Sequence, residues 1–394
     1  MDRELLVAIV APYPLDTERL SGVEVAIVYV QQELLRYPGI RLHIVTCNEG
    51  ISEPQTRVQG RLSITYLPRA GLGRITWHKR EVAQIVDALR KIQPDIVHAH
   101  TSGLYAGAAL ACPFPSVLTV HGIAAGEARL AEGWRQQLRG WLDAQYERWV
   151  MGRTQDLMLI TPYVEQVFQG IFQGRSYLVE NACDRRFFDV PWRPVKGRLL
   201  FAGPVIPRKG VLPMLKALCQ VRQTVPEAHI HIAGSLSSMS EYARACQDYA
   251  QAQGMGDAVS FLGHLTQERV LEEYGACEAF VLPSFQETAP MVIEQSMAVG
   301  MPSIATHAGG VPWMLEDGVT GWTLPVPATA EGDSQALAEA ILRVLEDPQG
   351  AKRMGQRARE EAERRFLPAA VAEKTLQVYE QVIARHSGQT AERG

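Results

Sequence analysis

Short apolar runs alternate with longer amphipathic stretches from the first residues to about position 345, and no other feature of this chain constrains its fold as tightly. Runs of four to eight apolar residues punctuated by helical periodicity are the pattern of parallel strands covered by helices, so the expected class is α/β. LLVAIVAP (5–12), RLHIVT (41–46), SITYLP (63–68), DIVHAH (95–100), SVLTVHG (116–122), DLMLI (156–160) and YLVEN (177–181) read as strands of one sheet. A second series follows Asp189–Gly197, a stretch with two prolines, a glycine and little apolar periodicity that reads as a linker. It comprises RLLFAG (198–203), HIHIAGS (229–235), AVSFLG (258–263), EAFVLPS (278–284), PSIAT (302–306) and GWTLP (321–325). Two open sheets in tandem are therefore expected, with a first domain over 1–190 and a second over 191–367. The segments 333–347, 349–365 and 368–386 are helical by periodicity.

Composition removes several function classes. With 394 residues, 46% hydrophobic and 21% charged, the chain is too apolar for disorder and long enough for two cores. Its 39 basic and 43 acidic residues leave a net charge of −4, which disfavours a nucleic-acid partner. Six cysteines are too sparse for a disulfide framework and too far apart for paired metal ligation, so they read as reduced thiols. No apolar stretch reaches membrane-spanning length, and Leu5–Pro12 leads into a domain pattern instead of a cleavage site. A cytoplasmic protein is expected, with at most peripheral contact at the inner face of a membrane.

Open parallel sheets bind ligands at the carboxyl ends of their strands, where loops converge. In the first half, Ser21 and Gly22 in YPLDTERLSGVE stand before a helix, where they serve either as an ordinary cap or as an anion site. The sequence has neither Gly-x-Gly-x-x-Gly after a strand nor a Gly-Lys-Ser/Thr loop. In the second half, GPVIPRKG (203–210) places Gly203, Arg208 and Lys209 at a strand-to-helix junction, and two cations there suit a diphosphate. Within residues 278–310, Glu287 lies in a loop, Pro290 opens a helix, and Glu294 and Gln295 lie inside it. Eight residues separate Glu287 from Gln295, so both can face one site with the amides of Met291 and Val292 between them. A carboxylate for hydroxyls, free amides for phosphate and a second polar side chain describe a sugar-nucleotide site. Ser235 ends another strand of the same series. His98, His100 and His121 end strands of the first. A metal reading of His98 and His100 lacks a third ligand, so they are expected to be supporting residues.

These motifs carry a family resemblance. Residues Val23–Glu24, PDIVHAH (94–100), TVHG (119–122), ENACDRRFF (180–188), Lys209–Gly210, VSFLGHL (259–265), the block 278–310 and DGVTGW (317–322) together resemble the retaining glycosyltransferases of the GT-B fold. That large group includes sucrose synthases and bacterial mannosyltransferases. The resemblance implies two Rossmann-like domains facing a central cleft, acceptor on the first and nucleotide-sugar on the second. It also implies that residues 368–394 form a C-terminal helix and tail returning to the first domain. Carried over residue by residue, it puts His121 at the reaction centre, Glu287 at the transferred sugar, Gln295 near the ribose, and Lys209 with Arg208 at the diphosphate. His264 joins the donor residues. The implied activity is sugar transfer from a UDP- or GDP-sugar to a sugar or lipid-linked acceptor, with retention, by front-face substitution. No Asp-x-Asp is present, so no metal or other cofactor is expected; the nucleotide-sugar is a substrate. The sequence departs from the family at Pro204, where Arg is usual, and at Gln295, where Glu is usual. A GT-B epimerase or phosphorylase, or a weakly active homologue serving as a binding subunit, are the alternatives.

Two further segments bear on the acceptor. Arg69, Arg74, Lys79 and Arg80 have no acid among them. Leu130, Trp134, Leu138, Trp141 and Trp149 recur on one expected helix beside Arg135, Arg139 and Arg148. Either the tryptophans pack under the first sheet and the arginines are solvated, or this helix meets a bilayer and the basic loop helps it.

Overall fold

The computed structural model of the protein describes residues 4–15, 21–69, 73, 76–129, 133–327 and 334–391. The chain divides into two compact units, Met1–Ala182 with Pro368–Gly394, and Cys183–Leu367. The division falls eight residues before the expected boundary at 190/191. Its physical reason is the pair Phe187 and Phe188, which bury themselves in the second unit's core and draw residues 183–188 across with them, while Ala182 stays in the first unit's core.

In the first unit the strands are β1 (Leu5–Val10), β2 (Ile40–Asn48), β3 (Gln55–Gln59), β4 (Leu62–Pro68), β5 (Ile96–His100), β6 (Ser116–Thr119), β7 (Asp156–Leu159) and β8 (Arg175–Leu178). They form one sheet in the order β3-β4-β2-β1-β5-β6-β7-β8. All described pairings are parallel except that of β3 with β4. The helices are α1 (Gly22–Leu34), α2 (Lys79–Ile92), α3 (Leu104–Ala111), α4 (Ala124–Arg129), α5 (Trp134–Met151) and α6 (Tyr163–Val167). Central strands are mostly apolar because helices cover both faces: Val7, Ile9, Ile44, Ile96 and Val117 are all buried.

The second unit has β9 (Arg198–Ala202), β10 (His229–Ala233), β11 (Val259–Gly263), β12 (Ala279–Leu282), β13 (Ser303–Thr306) and β14 (Gly321–Leu324), all parallel, in the order β11-β10-β9-β12-β13-β14. Its helices are α7 (Arg185–Asp189), α8 (Val211–Val221), α9 (Ser240–Ala252), α10 (Gln267–Ala276), α11 (Met291–Val299), α12 (Val311–Met314), α13 (Gln335–Glu346) and α14 (Pro348–Arg365). The last helix, α15 (Pro368–Ala391), belongs to the first unit, where Val371, Tyr379 and Val382 enter the core and Arg385 pairs with Asp156 at 2.6 Å.

Candidate active site

A ligand crevice in an open parallel sheet forms where the strand order reverses, at the carboxyl ends of the flanking strands. In the second unit the reversal lies between β9 and β12. The loops that follow these two strands are 203–210 and 283–290, which carry the cations and the carboxylate singled out above.

Gly210 lets the two loops touch. Its φ is +69°, and a Cβ there would sit 2.1 Å from the Pro283 carbonyl oxygen, so only glycine fits. Across this contact the Phe285 amide donates to the Arg208 carbonyl at 2.8 Å, and Arg208 Nη1 donates to the Gln286 carbonyl at 2.9 Å. Lys209 Nζ then donates to Glu287 Oε1 at 2.6 Å, with Arg208 Nη1 3.9 Å from Glu287 Oε2. Lys209 and Glu287 are both buried. The two residues assigned separately to diphosphate and sugar are thus hydrogen-bonded to each other. Arg208, in place of a free fork aimed at a phosphate, braces the loop that holds Glu287.

Three strand ends lie side by side here. The Gly203 amide donates to the Ala233 carbonyl and the Gly234 amide to the Gly263 carbonyl, at 2.8 and 2.7 Å. A Cβ on Gly234 would fall 1.9 Å from the Gly203 oxygen, so these turns pack backbone on backbone. Ser235 and the exposed His264 therefore share one edge with Gly203. Helix α11 starts directly after the Glu287 loop, and the first amides of any helix lack intrahelical partners, which makes Met291 and Val292 anion donors by position. Within that helix Gln295 is half-buried and its Oε1 accepts from the Tyr274 hydroxyl at 3.0 Å. Glu294 is buried; burial first, and then the Glu294 charge, push the neighbouring Cys183 thiol up.

The first unit reverses between β1 and β5, and a cavity of about 730 Å³ opens there. Pro12, Tyr13 and Glu24 line it from the β1 side, Thr101 and Ser102 from β5, and His121 from β6. Arg69, His78, Asp143 and Tyr146 also line it. Burial pushes the phenols of Tyr13, Tyr105 and Tyr146 up to about 12, so all three stay protonated donors at neutral pH. Ser21 serves as the cap of α1, in a reciprocal box with Glu24, while the space beside Gly22 is open.

His121 is the outermost member of a stack. His100 Nδ1 and His121 Nε2 share a hydrogen bond of 2.9 Å, and the His98 and His100 rings lie 4.1 Å apart. His98 Nδ1 meets the Tyr379 hydroxyl at 2.7 Å and its Nε2 meets Thr119 Oγ1 at 2.8 Å. Burial holds His98 down at about 3 and His121 at about 4, and His100 well below its ordinary value. The stack is neutral at pH 7, and each ring offers one donor and one acceptor.

Of the basic-loop residues, Lys79 and Arg80 are exposed in the first turn of α2, and Arg74 lies outside the described residues. Sequence reasoning missed Thr101 and Ser102. Thr101 has φ +76°, a strained conformation for a β-branched residue, and Ser102 Oγ donates to Glu147 at 2.6 Å. The available signal was the polar run Thr101–Gly103 directly after the strand that ends at His100.

Comparison with known proteins gives this geometry a family. Residues 20–187 match the family model described as glycosyltransferase family 4, and residues 184–361 match that described as glycosyl transferases group 1. The chain is similar to a glycogen synthase of Mycobacterium tuberculosis, with 30% identity over 303 residues, covering 74% of this chain and 69% of the relative. A D-inositol 3-phosphate glycosyltransferase of Corynebacterium efficiens is 28% identical over 182 residues, 45% of this chain and 41% of that one. Among solved structures, sucrose-phosphate synthase from Thermosynechococcus elongatus superposes with a TM-score of 0.78 at 21% identity, covering 97% of this chain and 100% of that one. HepE from Anabaena, solved with UDP, gives 0.74 at 18%, covering 96% and 100%. The chain belongs to this family: it is a GT-B glycosyltransferase.

Proposed function

We propose that the protein transfers a sugar from a nucleoside-diphosphate sugar, held on the second unit, to an acceptor hydroxyl held in the crevice of the first, with retention at the anomeric carbon. The observation that carries this reading is the buried Lys209–Glu287 pair at the β9/β12 reversal, beside the start of α11. A diphosphate entering there draws Lys209 towards its own oxygens and releases Glu287 to accept hydrogen bonds from sugar hydroxyls. As the glycosidic C–O bond breaks, charge grows on the leaving phosphate oxygen, where Lys209, Arg208 and the amides of Met291 and Val292 stabilise it. Those groups do the work a divalent cation would otherwise do, so the reaction needs no metal. In front-face substitution the same phosphate oxygen takes the acceptor's proton while the acceptor oxygen bonds to the anomeric carbon.

The ribose lies near Gln295, with Gly203, Ser235 and His264 along the same edge. HepE solved with UDP-glucose supports a uridine donor by analogy, and a GDP-sugar is the alternative. On the first unit, neutral His121 hydrogen-bonds the transferred sugar or the acceptor. Among the described residues, Glu24, Glu49 and Asp143 line that crevice against one arginine, Arg69, so an uncharged, hydroxyl-rich acceptor end fits it better than an anionic one. Calorimetry with UDP and GDP identifies the base. Incubation with the matching sugar nucleotide and simple glycoside acceptors in excess chelator, read by proton NMR, tests the chemistry. An inverted product, or turnover that stops on chelation, overturns the mechanism.

A further inference from the structure

Helix α5 carries an apolar face that nothing among the described residues covers. Trp134, Leu138 and Trp141, spaced three and four residues apart, are 70%, 49% and 56% exposed. The basic loop reaches the same surface: the Trp77 ring, itself 40% exposed, meets Tyr146 at 5.3 Å and Trp149 at 5.6 Å. Two segments that are more than fifty residues apart in sequence are therefore one patch. Lys79, Arg80, Arg135, Arg139 and Arg148 are all exposed around it. The described acids of these segments turn inward. Glu147 is buried, accepting from Ser102 Oγ and the Ala124 amide; Glu81 is buried; and half-buried Asp143 lines the crevice. Leu130 and Glu132 lie outside the described residues.

We propose that this face docks on an anionic lipid bilayer. Tryptophan rings settle at the headgroup level, where an apolar body and a polar edge are both satisfied, and exposed arginines beside them meet anionic headgroups. Arg135 lies over the Trp134 ring at 5.4 Å, which keeps cation and ring together at that depth. A second copy of the chain is the poorer occupant. A two-fold contact centred on Trp141 would set Arg148 beside Trp134 and Arg135 of the other copy, bringing exposed arginines together with no exposed acid among the described residues of the patch to answer them. Helix α5 turns Asp143 and Tyr146 into the crevice and Trp134 and Trp141 outward, so the docking face is distinct from the crevice.

The test is co-sedimentation of the full chain with phosphatidylcholine vesicles, with and without phosphatidylglycerol, at low and physiological salt. Wild type is expected to pellet with the anionic vesicles and to stay in solution with the neutral ones. Each cation near such a surface is typically about a fivefold effect, so Arg135→Gln, Arg139→Gln and Arg148→Gln together should weaken binding roughly 100-fold. Trp134→Ala with Trp141→Ala should abolish it, while the lysine versions of the three arginines keep it. Circular dichroism shows whether each variant is folded. Wild type that stays in solution with anionic vesicles, or binding indifferent to both sets of substitutions, overturns the proposal. So does light scattering that finds a dimer which Trp134→Ala and Trp141→Ala split, because the face then belongs to a second copy.

Discussion

Replacing Glu287 by leucine should be far more damaging than replacing Lys209 by methionine, although each removes one end of the same hydrogen bond. Glu287 lies between two cations, Lys209 at 2.6 Å and Arg208 at 3.9 Å. Glu287→Leu leaves Lys209 buried and unpaired, and stranding a buried charge typically costs about 3–5 kcal/mol. Lys209→Met leaves Glu287 with Arg208, so its loss should be smaller, of the order of 1–3 kcal/mol. The double variant is the informative one. Replacing a buried pair by apolar side chains of similar volume is often close to neutral, so Lys209→Met should restore much of what Glu287→Leu removes. For a unit of this size each kcal/mol moves the melting midpoint by about 2–4 °C, so Glu287→Leu alone should lower it by roughly 6–20 °C. Urea and thermal melts of the four proteins measure the coupling.

The same four proteins report on the donor site when UDP is added. A ligand that binds only the folded state raises its stability by an amount set by concentration over dissociation constant. In Glu287→Leu the unpaired Lys209 has no competitor, so UDP should raise the midpoint more than in wild type. In Lys209→Met it should raise it little. Additive losses in the double variant would refute the claim that the pair is a coupled buried unit. Equal UDP shifts in both single variants would refute Lys209 as a phosphate ligand.

Three other outcomes follow from particular contacts. Gln295→Ala should weaken UDP binding roughly three- to tenfold, the worth of one neutral hydrogen bond, while Glu294→Ala lowers stability and leaves affinity alone; calorimetry and melts separate them, and the reverse ranking moves the ribose contact to Glu294. Stability should fall as pH drops from about 6.5 towards 4, because the folded His98, His100 and His121 lie below the ordinary histidine value and the unfolded chain binds the protons first. The His121 depression to about 4 alone corresponds to roughly 3 kcal/mol, and urea midpoints unchanged between pH 7 and pH 4.5 would contradict the neutral stack. Ala at Gly210 should cost more than Ala at Gly22, since a Cβ at Gly210 meets the Pro283 carbonyl and one at Gly22 meets nothing within 4 Å; melts compare them directly.

Most strands were legible because they are buried on both faces and so are nearly all apolar. The exception makes the same point. Strand β3, QTRVQ, is exposed at every position and pairs antiparallel at the sheet edge, so no apolar pattern announces it. The compact units divide eight residues before 190/191 for a related reason: a Pro-rich stretch marks where periodicity stops, whereas the cores divide where Phe187 and Phe188 find partners. The α5 tryptophans were left open by sequence because helical spacing gives a face without saying what faces it. Exposure settles that Trp134 and Trp141 do not pack under the sheet, while Trp149 is half-buried against Tyr146.

Candidate site residues are nominated by the sequence one at a time, and their relation to one another is not legible there. Lys209 and Glu287 each stand at a strand end in the sequence, which suffices to nominate them, but they are 78 residues apart. Only the order β10-β9-β12, which no run of residues encodes locally, makes their loops neighbours. The same holds in the first unit, where Thr101 and Ser102 reach the crevice through the adjacency of β5 with β1. The departure at Pro204 also changes meaning in this frame. The turn it opens ends in Arg208, whose hydrogen bond to the Gln286 carbonyl fixes the Glu287 loop, so its side chain supports the carboxylate before any phosphate arrives. A chain lacking the usual arginine after Gly203 therefore still concentrates two cations at the reversal. In the reaction proposed above, it is Glu287 that the diphosphate outcompetes for Lys209.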